Sequence, residues 1–260
     1  VIVTAALIWY DENPEDLEAC VRGIAEIADR LVAVDGAYRR YPDAQVTSPP
    51  EQAETIRRVA AEVGLECDVY IPDRLWAGQV EKRSFLMQRA SVGTDWIAVV
   101  DADWVIHADR VRVRRELFRL HELGVDVITV SLFTPKGEAA AATGWHRRMA
   151  GTRTSVQHFF RPLEGLRVEK MHWWYSAIKN GQRVWMWHGR RRREGLRILP
   201  AHRLRSRYEI EHRTFQRDEK HILAGRAFCN DRELVLAATG QEDDVPGLPA
   251  PVFDYETIPY

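Results

Sequence analysis

Apolar and polar positions keep two rhythms along the first half of the chain. Residues 1–8 form an apolar run of strand length, and Asn13-Pro14 then opens a segment in which Leu17, Cys20, Val21, Ile24 and Ile27 recur at the spacing of one helix face. A second short run, 31–34, ends at Asp35-Gly36. After a polar, proline-containing loop, Ala53, Ile56, Val59, Ala60 and Val63 mark a second amphipathic helix, and Gly64 supplies the residue that closes a helix most easily. Strands over 67–71 and 97–101 bracket a third helix over 79–90, and a further helix over 108–123, stopped near Gly124, leads into the apolar run 125–132. The order β-α-β-α-β-α-β predicts an α/β fold: a parallel sheet with right-handed crossovers and helices on its faces.

The run Ile-Ala-Val-Val-Asp-Ala-Asp-Trp-Val-Ile, 97–106, stands out because a buried-looking strand ends abruptly in two carboxylates, Asp101 and Asp103. Ligands of open α/β sheets collect at the carboxyl ends of such strands. Carboxylate oxygens are hard ligands, so this spacing suits magnesium or manganese, held directly or through water. A polar strand exit or a helix cap is the alternative reading of the same two residues.

Composition narrows the setting. A chain of 260 residues with 45% hydrophobic residues can fill one large core. No apolar stretch approaches the roughly 20 residues that span a bilayer, and no basic-then-apolar leader opens the sequence, so a soluble, cytoplasmic protein with no membrane partner is expected. Cys20, Cys67 and Cys229 lie far apart without metal-ligand spacing and read as free thiols. The net charge is −1, yet Arg190, Arg191, Arg192, Arg193, Arg197, Arg203, Arg205, Arg207 and Arg213 crowd one segment. That segment reads either as a surface for phosphates or as a solvated loop. Residues 241–260 reverse the sign and are proline-rich, as expected of an extended tail. The chain therefore divides into an α/β part over 1–132, a second part of the same domain over 133–240, and the tail.

With that order in place, the chain resembles the glycosyltransferases of the GT-A fold, the family 2 type most closely. The residues that carry the resemblance are VIVTAALIWYDENPEDLEACV, the aspartate-ended strand LVAVDGAY, the basic helix GQVEKRSFLMQRA, the stretch TDWIAVVDADWVI, and the later HFFRPLEGLRVEKMHWW. The resemblance implies a Rossmann-like, mostly parallel sheet with a mixed C-terminal region. It also implies transfer of a sugar from a nucleoside-diphosphate sugar, a UDP-sugar first among donors, to an acceptor hydroxyl on a nucleic-acid base, a protein or a glycan. Asp35 would accept a hydrogen bond from the nucleotide base, and Asp103, with Asp101 on ribose or on a metal-bound water, would hold Mn2+ or Mg2+ at the diphosphate. Lys82 and Arg83 would lend charge near the nucleotide or else face solvent as ordinary helix residues, and Trp104 would line the donor-sugar pocket.

Many members add a histidine from the C-terminal half as a further ligand, and His212 is the first candidate, ahead of His221 and His188. The pattern departs from the family at the base. Where an acidic residue is expected after a histidine, His172 is followed by Trp173 and Trp174. The base is then His172 or Glu169, or comes from elsewhere, or the reaction retains configuration and the leaving phosphate takes the proton. Trp173, Trp174, Trp185, Trp187 and Tyr175 read either as a core of paired strands or as a stacking platform. Residues 134–154, rich in glycine and alanine with Arg147, Arg148 and Arg153, read either as a loop ordered over the donor or as a disordered connection. Two other classes fit parts of the sequence: a haloacid-dehalogenase-like phosphohydrolase using Asp101 and Asp103, and an arginine-rich nucleic-acid-binding module.

Overall fold

The computed structural model describes residues 1–39, 44–135, 151, 153–169, 174–187, 196–199 and 208–213. The first half follows the apolar rhythm: β1 (Val3–Ile8), α1 (Pro14–Ala25), β2 (Arg30–Val34), α2 (Pro50–Glu62), β3 (Glu66–Tyr70), α3 (Gln79–Ala90) and β4 (Trp96–Asp101). Next come β5 (Trp104–Ala108), α4 (Arg110–Glu122) and β6 (Val127–Phe133). The remaining strands are β7 (Arg153–Phe160), β8 (Glu164–Val168), β9 (Trp174–Lys179), β10 (Gln182–Trp187), β11 (Ile198–Leu199) and β12 (Tyr208–His212).

Local chemistry sets the helix ends. Asn13 caps α1 by accepting from the Glu15 N–H at 2.9 Å, with Pro14 in the first turn. Asp109 does the same for α4 through the Arg112 N–H at 3.1 Å, so that helix begins later than its apolar pattern suggests. Gly64 and Gly124 close α2 and α4 with φ of +74° and +67°, in the left-handed region that glycine enters without strain.

Among the described residues nine strands form the large sheet in the order β3-β2-β1-β4-β7-β6-β12-β5, with β11 added alongside β6. The pairs β2–β3, β1–β2 and β1–β4 are parallel, as are β11 and β12 with β6, whereas β7 runs antiparallel to β4 and β6, and β5 runs antiparallel to β12. A separate antiparallel sheet has the order β10-β9-β8. The protein is thus an α/β fold, a mostly parallel sheet flanked by helices, consistent with a Rossmann-like GT-A architecture. Among the described residues no helix is long and apolar enough to cross a membrane.

Strand alternation builds two cores. Val3, Ala5 and Leu7 of β1 and Trp96, Ala98 and Val100 of β4 face α1, α2 and α4, while Ala6, Ile8, Ile97 and Val99 face α3 and the small sheet. Residues buried on both faces explain why these strands read as continuous apolar runs. The sequence reading ends this strand at Asp101 and Asp103 and lets the chain fray into a loop there. In the structure the chain turns at Ala102-Asp103 and leaves as a second strand, β5, which crosses to the far edge of the sheet.

That crossing brings α1 onto β5. A Cβ at Gly23 would lie 2.8 Å from the Ile106 nitrogen and 3.0 Å from its carbonyl oxygen, so the helix meets the strand backbone to backbone. An ordinary helical glycine-to-alanine change is stabilising. Here Gly23→Ala should instead destabilise the protein by about 1–3 kcal/mol through overpacking, seen as a lower urea midpoint.

Candidate functional site

Parallel pairing places the carboxyl ends of β1, β2 and β4 side by side, since Ile8 is in register with both Val34 and Asp101. Asp35, just beyond β2, is 1% exposed. Its Oδ2 accepts the Ser48 N–H at 2.9 Å and its Oδ1 the Ser48 hydroxyl at 2.6 Å, while its carbonyl accepts the Trp76 indole N–H at 2.8 Å. Ser48 Oγ in turn accepts the Asp11 N–H at 2.8 Å, which ties the loop after β1 to the same spot. Gly36 follows with φ +105°, and a Cβ there would meet Pro72 at 2.5 Å. Burial lifts the Asp35 carboxyl above its usual range, against the bonds from Ser48 and the charge of Lys82.

Lys82 lies beneath this corner at 1% exposure, donating to the carbonyls of Trp9 and Gly36, both at 2.7 Å. Burial pulls its ammonium down to about 7. Arg83 is buried as well, and its Nη2 donates to Asp101 Oδ1 at 2.5 Å. The alternative reading of these two residues as ordinary solvent-facing helix positions is corrected: both sit on the packed stripe of α3 with Leu86, Met87 and Ala90.

On the other side of the turn, Asp103 Oδ2 lies 3.2 Å from His212 Nε2, and Thr134 Oγ1 lies 3.4 Å from Nδ1 of the same ring. The backbone of the next residue completes the clasp. The Arg213 N–H donates to the Asp103 carbonyl at 2.8 Å, and its guanidinium reaches Asp16 at 3.1 Å and Glu211 at 3.0 Å. These contacts follow from strand register, because β12 pairs antiparallel with β5 and sets His212 opposite Trp104. Trp104 is in the core at 6% exposure, its ring 6.0 Å from that of His158 and 6.4 Å from that of His212. Tyr208 shares a hydrogen bond with His158 Nε2, and burial holds that imidazole neutral down to about 3.

Glu169 is placed elsewhere, at the end of β8 on the small sheet. Its Oε1 receives Arg167 Nε at 2.7 Å, Arg183 Nη1 at 3.2 Å and the Ser176 hydroxyl. Burial works to raise this carboxyl, yet the bonds from Arg167 and Ser176 and the two guanidinium charges bring it below the usual carboxylate value. His172, His188, His221, Trp173 and the arginines at 190–193 lie outside the described residues, as do 136–150 and 152 of the segment 134–154.

The structure therefore gathers Asp35 and Lys82 at one corner and Asp101, Arg83, Asp103 and His212 at the next. Among the described residues no group of three His, Cys, Asp or Glu side chains is arranged to hold a metal. Asp103 and His212 still offer one oxygen and one nitrogen at one point, a donor set that suits a cation taking its other ligands from phosphate and water. Sequence reasoning missed Ser48 and Thr134, and took Arg213 only as one of a basic run. It carried a usable signal only for the burial of Lys82 and Arg83, which precede Leu86 and Met87 by four residues each.

No protein-family model and no curated protein matches this sequence. Solved structures resemble it loosely in shape. The 4-diphosphocytidyl-2C-methyl-D-erythritol synthase of Anaerococcus prevotii is 6% identical with a TM-score of 0.36, covering 62% of this chain and 71% of that one. A mycobacterial protein is 14% identical with a TM-score of 0.40, covering 94% and 76%. A UDP-glucose pyrophosphorylase complexed with UDP-glucose is 11% identical with a TM-score of 0.33, covering 62% and 77%. Likenesses at this level carry no argument about chemistry.

Lys82 makes a pH dependence. Its value falls from 10.5 unfolded to about 7 folded, so between those limits the unfolded chain binds more protons and stability rises with pH. Between pH 7 and pH 9 the wild type should gain about 2 kcal/mol relative to Lys82→Met, read from urea midpoints of both proteins at each pH. A common slope for the two proteins would refute the assignment.

Proposed function

We propose that this protein transfers a glycosyl group from a nucleoside-diphosphate sugar to an acceptor hydroxyl, with a divalent cation at Asp103 and His212. The observation that carries the reading is the meeting of those two side chains at the carboxyl end of a central strand, 3.2 Å apart and drawn from distant parts of the chain. Strand ends at a point where connections leave to opposite faces are where α/β sheets take nucleotides.

Each residue then has a task. When bound, Mn2+ or Mg2+ neutralises the charge that builds on the departing diphosphate. Asp103 and His212 supply ligands, Thr134 orients the imidazole through Nδ1, and Arg213 fixes the Asp103 backbone. Arg83 pins Asp101 by Oδ1, which leaves Oδ2 as an acceptor for a ribose hydroxyl. Asp35 stands at the base end. A base that bonds to it replaces a Ser48 donor, and the Lys82 ammonium supports the negative charge from below.

Trp104 backs the donor-sugar side by holding the His212 ring in place. Of the two candidates for deprotonating the acceptor, His172 is the better, because a carboxylate held below its usual value, as Glu169 is, accepts a proton poorly. Inversion of configuration is the outcome that the family resemblance favours, and a UDP-sugar is the first donor to try.

With Mn2+ and a panel of UDP-, GDP-, CDP- and ADP-sugars, release of nucleoside diphosphate should occur for one donor class. Asp103→Ala and His212→Ala should each lower that rate on the order of 100-fold, as expected when one contact to a developing charge is lost. Thr134→Val should weaken the apparent metal affinity roughly 10-fold, the usual scale for an orienting partner. An unchanged rate in Asp103→Ala overturns the cation assignment, and no release from any donor overturns the function.

A further inference from the structure

The outward face of the small sheet carries a cluster that the nucleotide site does not use. Leu166, Val168, Tyr175, Ala177, Val184 and Met186 point into the core, so alternation turns Arg167, Ser176, Arg183 and Trp185 the other way. Register sets Trp185 and Arg167 on either side of Ser176, with Arg183 one row along, opposite Ile178. Trp185 is 47% exposed, although tryptophan is mostly buried in folded proteins.

Glu169 is the polar centre of this face. Arg167, Arg183 and Ser176 all bond to its Oε1, and no bond among the described residues falls on Oε2. Three donors on one oxygen fix the carboxylate in a single orientation, with the second oxygen left as an acceptor. Each guanidinium spends one N–H on Glu169 and retains others in its planar fork. The face therefore presents a half-exposed indole bordered by a fixed acceptor and by guanidinium donors.

We propose that this face binds the ring of a neutral carbohydrate, and that the acceptor is accordingly a glycan; the second half of the statement rests on the glycosyl-transfer reading above. Vicinal hydroxyls both donate and accept. One can donate to Glu169 Oε2 while its neighbour accepts from Arg167 or Arg183, and the C–H face of the ring lies on Trp185. A phosphodiester matches less well, because it has no proton to give and Oε2 would repel it. The patch is joined to the nucleotide side through α3: Ser84, beside Arg83, accepts from the Val168 N–H at 3.2 Å and donates to its carbonyl at 3.3 Å, one residue before Glu169.

The test uses the whole protein and saturation-transfer NMR with cellobiose, maltose, mannobiose and a short single-stranded oligonucleotide, alongside calorimetric binding of the nucleoside diphosphates with Mn2+. At least one disaccharide should bind the wild type. Its affinity should fall tenfold or more in Trp185→Ala and in Glu169→Gln and be largely restored in Trp185→Phe, with the thermal midpoints of the variants checked for folding. Unaltered sugar binding in folded Trp185→Ala, no binding of any disaccharide, or salt-dependent binding of the oligonucleotide in their place would each overturn the proposal. Sugar binding without nucleotide binding would sink the glycosyl-transfer reading and leave the carbohydrate face standing.

Discussion

Strands that end inside a protein leave carbonyl groups without a ladder, and carboxylates placed there need partners out of reach of bulk water. This chain meets both demands with α3. The Lys82 ammonium takes the carbonyls of Trp9 and Gly36 at the ends of two neighbouring strands, and Arg83, one residue on, takes the carboxylate at the end of a third. A buried cation is costly unless paired and hydrogen-bonded. Here the two cations define where β1, β2 and β4 stop, and the geometry of Asp35 and Asp101 depends on them.

Asp103 is anchored by a different route. Its side chain meets His212 and its carbonyl meets the following N–H, so the turn after β4 is held from the far end of the described chain. The two carboxylates of the motif thus sit in unlike surroundings, one against a permanent cation and one against a titratable ring. Such a difference in partners distinguishes the two side chains more firmly than their spacing in the sequence does.

The legible part of the fold is the part made by local pattern. Helical spacing, an Asn-Pro start, glycine stops and short apolar runs locate the first four strands and three helices to within a residue or two, because each signal acts over a single element. The separation of β5 from β4 was not legible. Trp104, Val105 and Ile106 continue the same apolar run, and only pairing with β12, about a hundred residues later, decides that they form a new strand. Ser48 and Thr134 were invisible for the same reason, as small polar residues acquire meaning from what they touch. Lys82 and Arg83 mislead by type. Their positions fit a buried stripe and their chemistry does not, and such disagreements between pattern and chemistry mark sites under functional or structural constraint.

The placement of β12 reaches beyond the finished molecule. It is inserted between β6 and β5, although it is made long after both. While the chain is being synthesised, these older strands must wait with open edges until residues 208–212 clear the ribosome, and such edges invite pairing between nascent chains. A message cut short before that point would yield a protein with its first four strands in order and the Asp103 turn lacking its clasp. The sheet and the surroundings of Asp103 are therefore completed together, late in translation, by one five-residue strand.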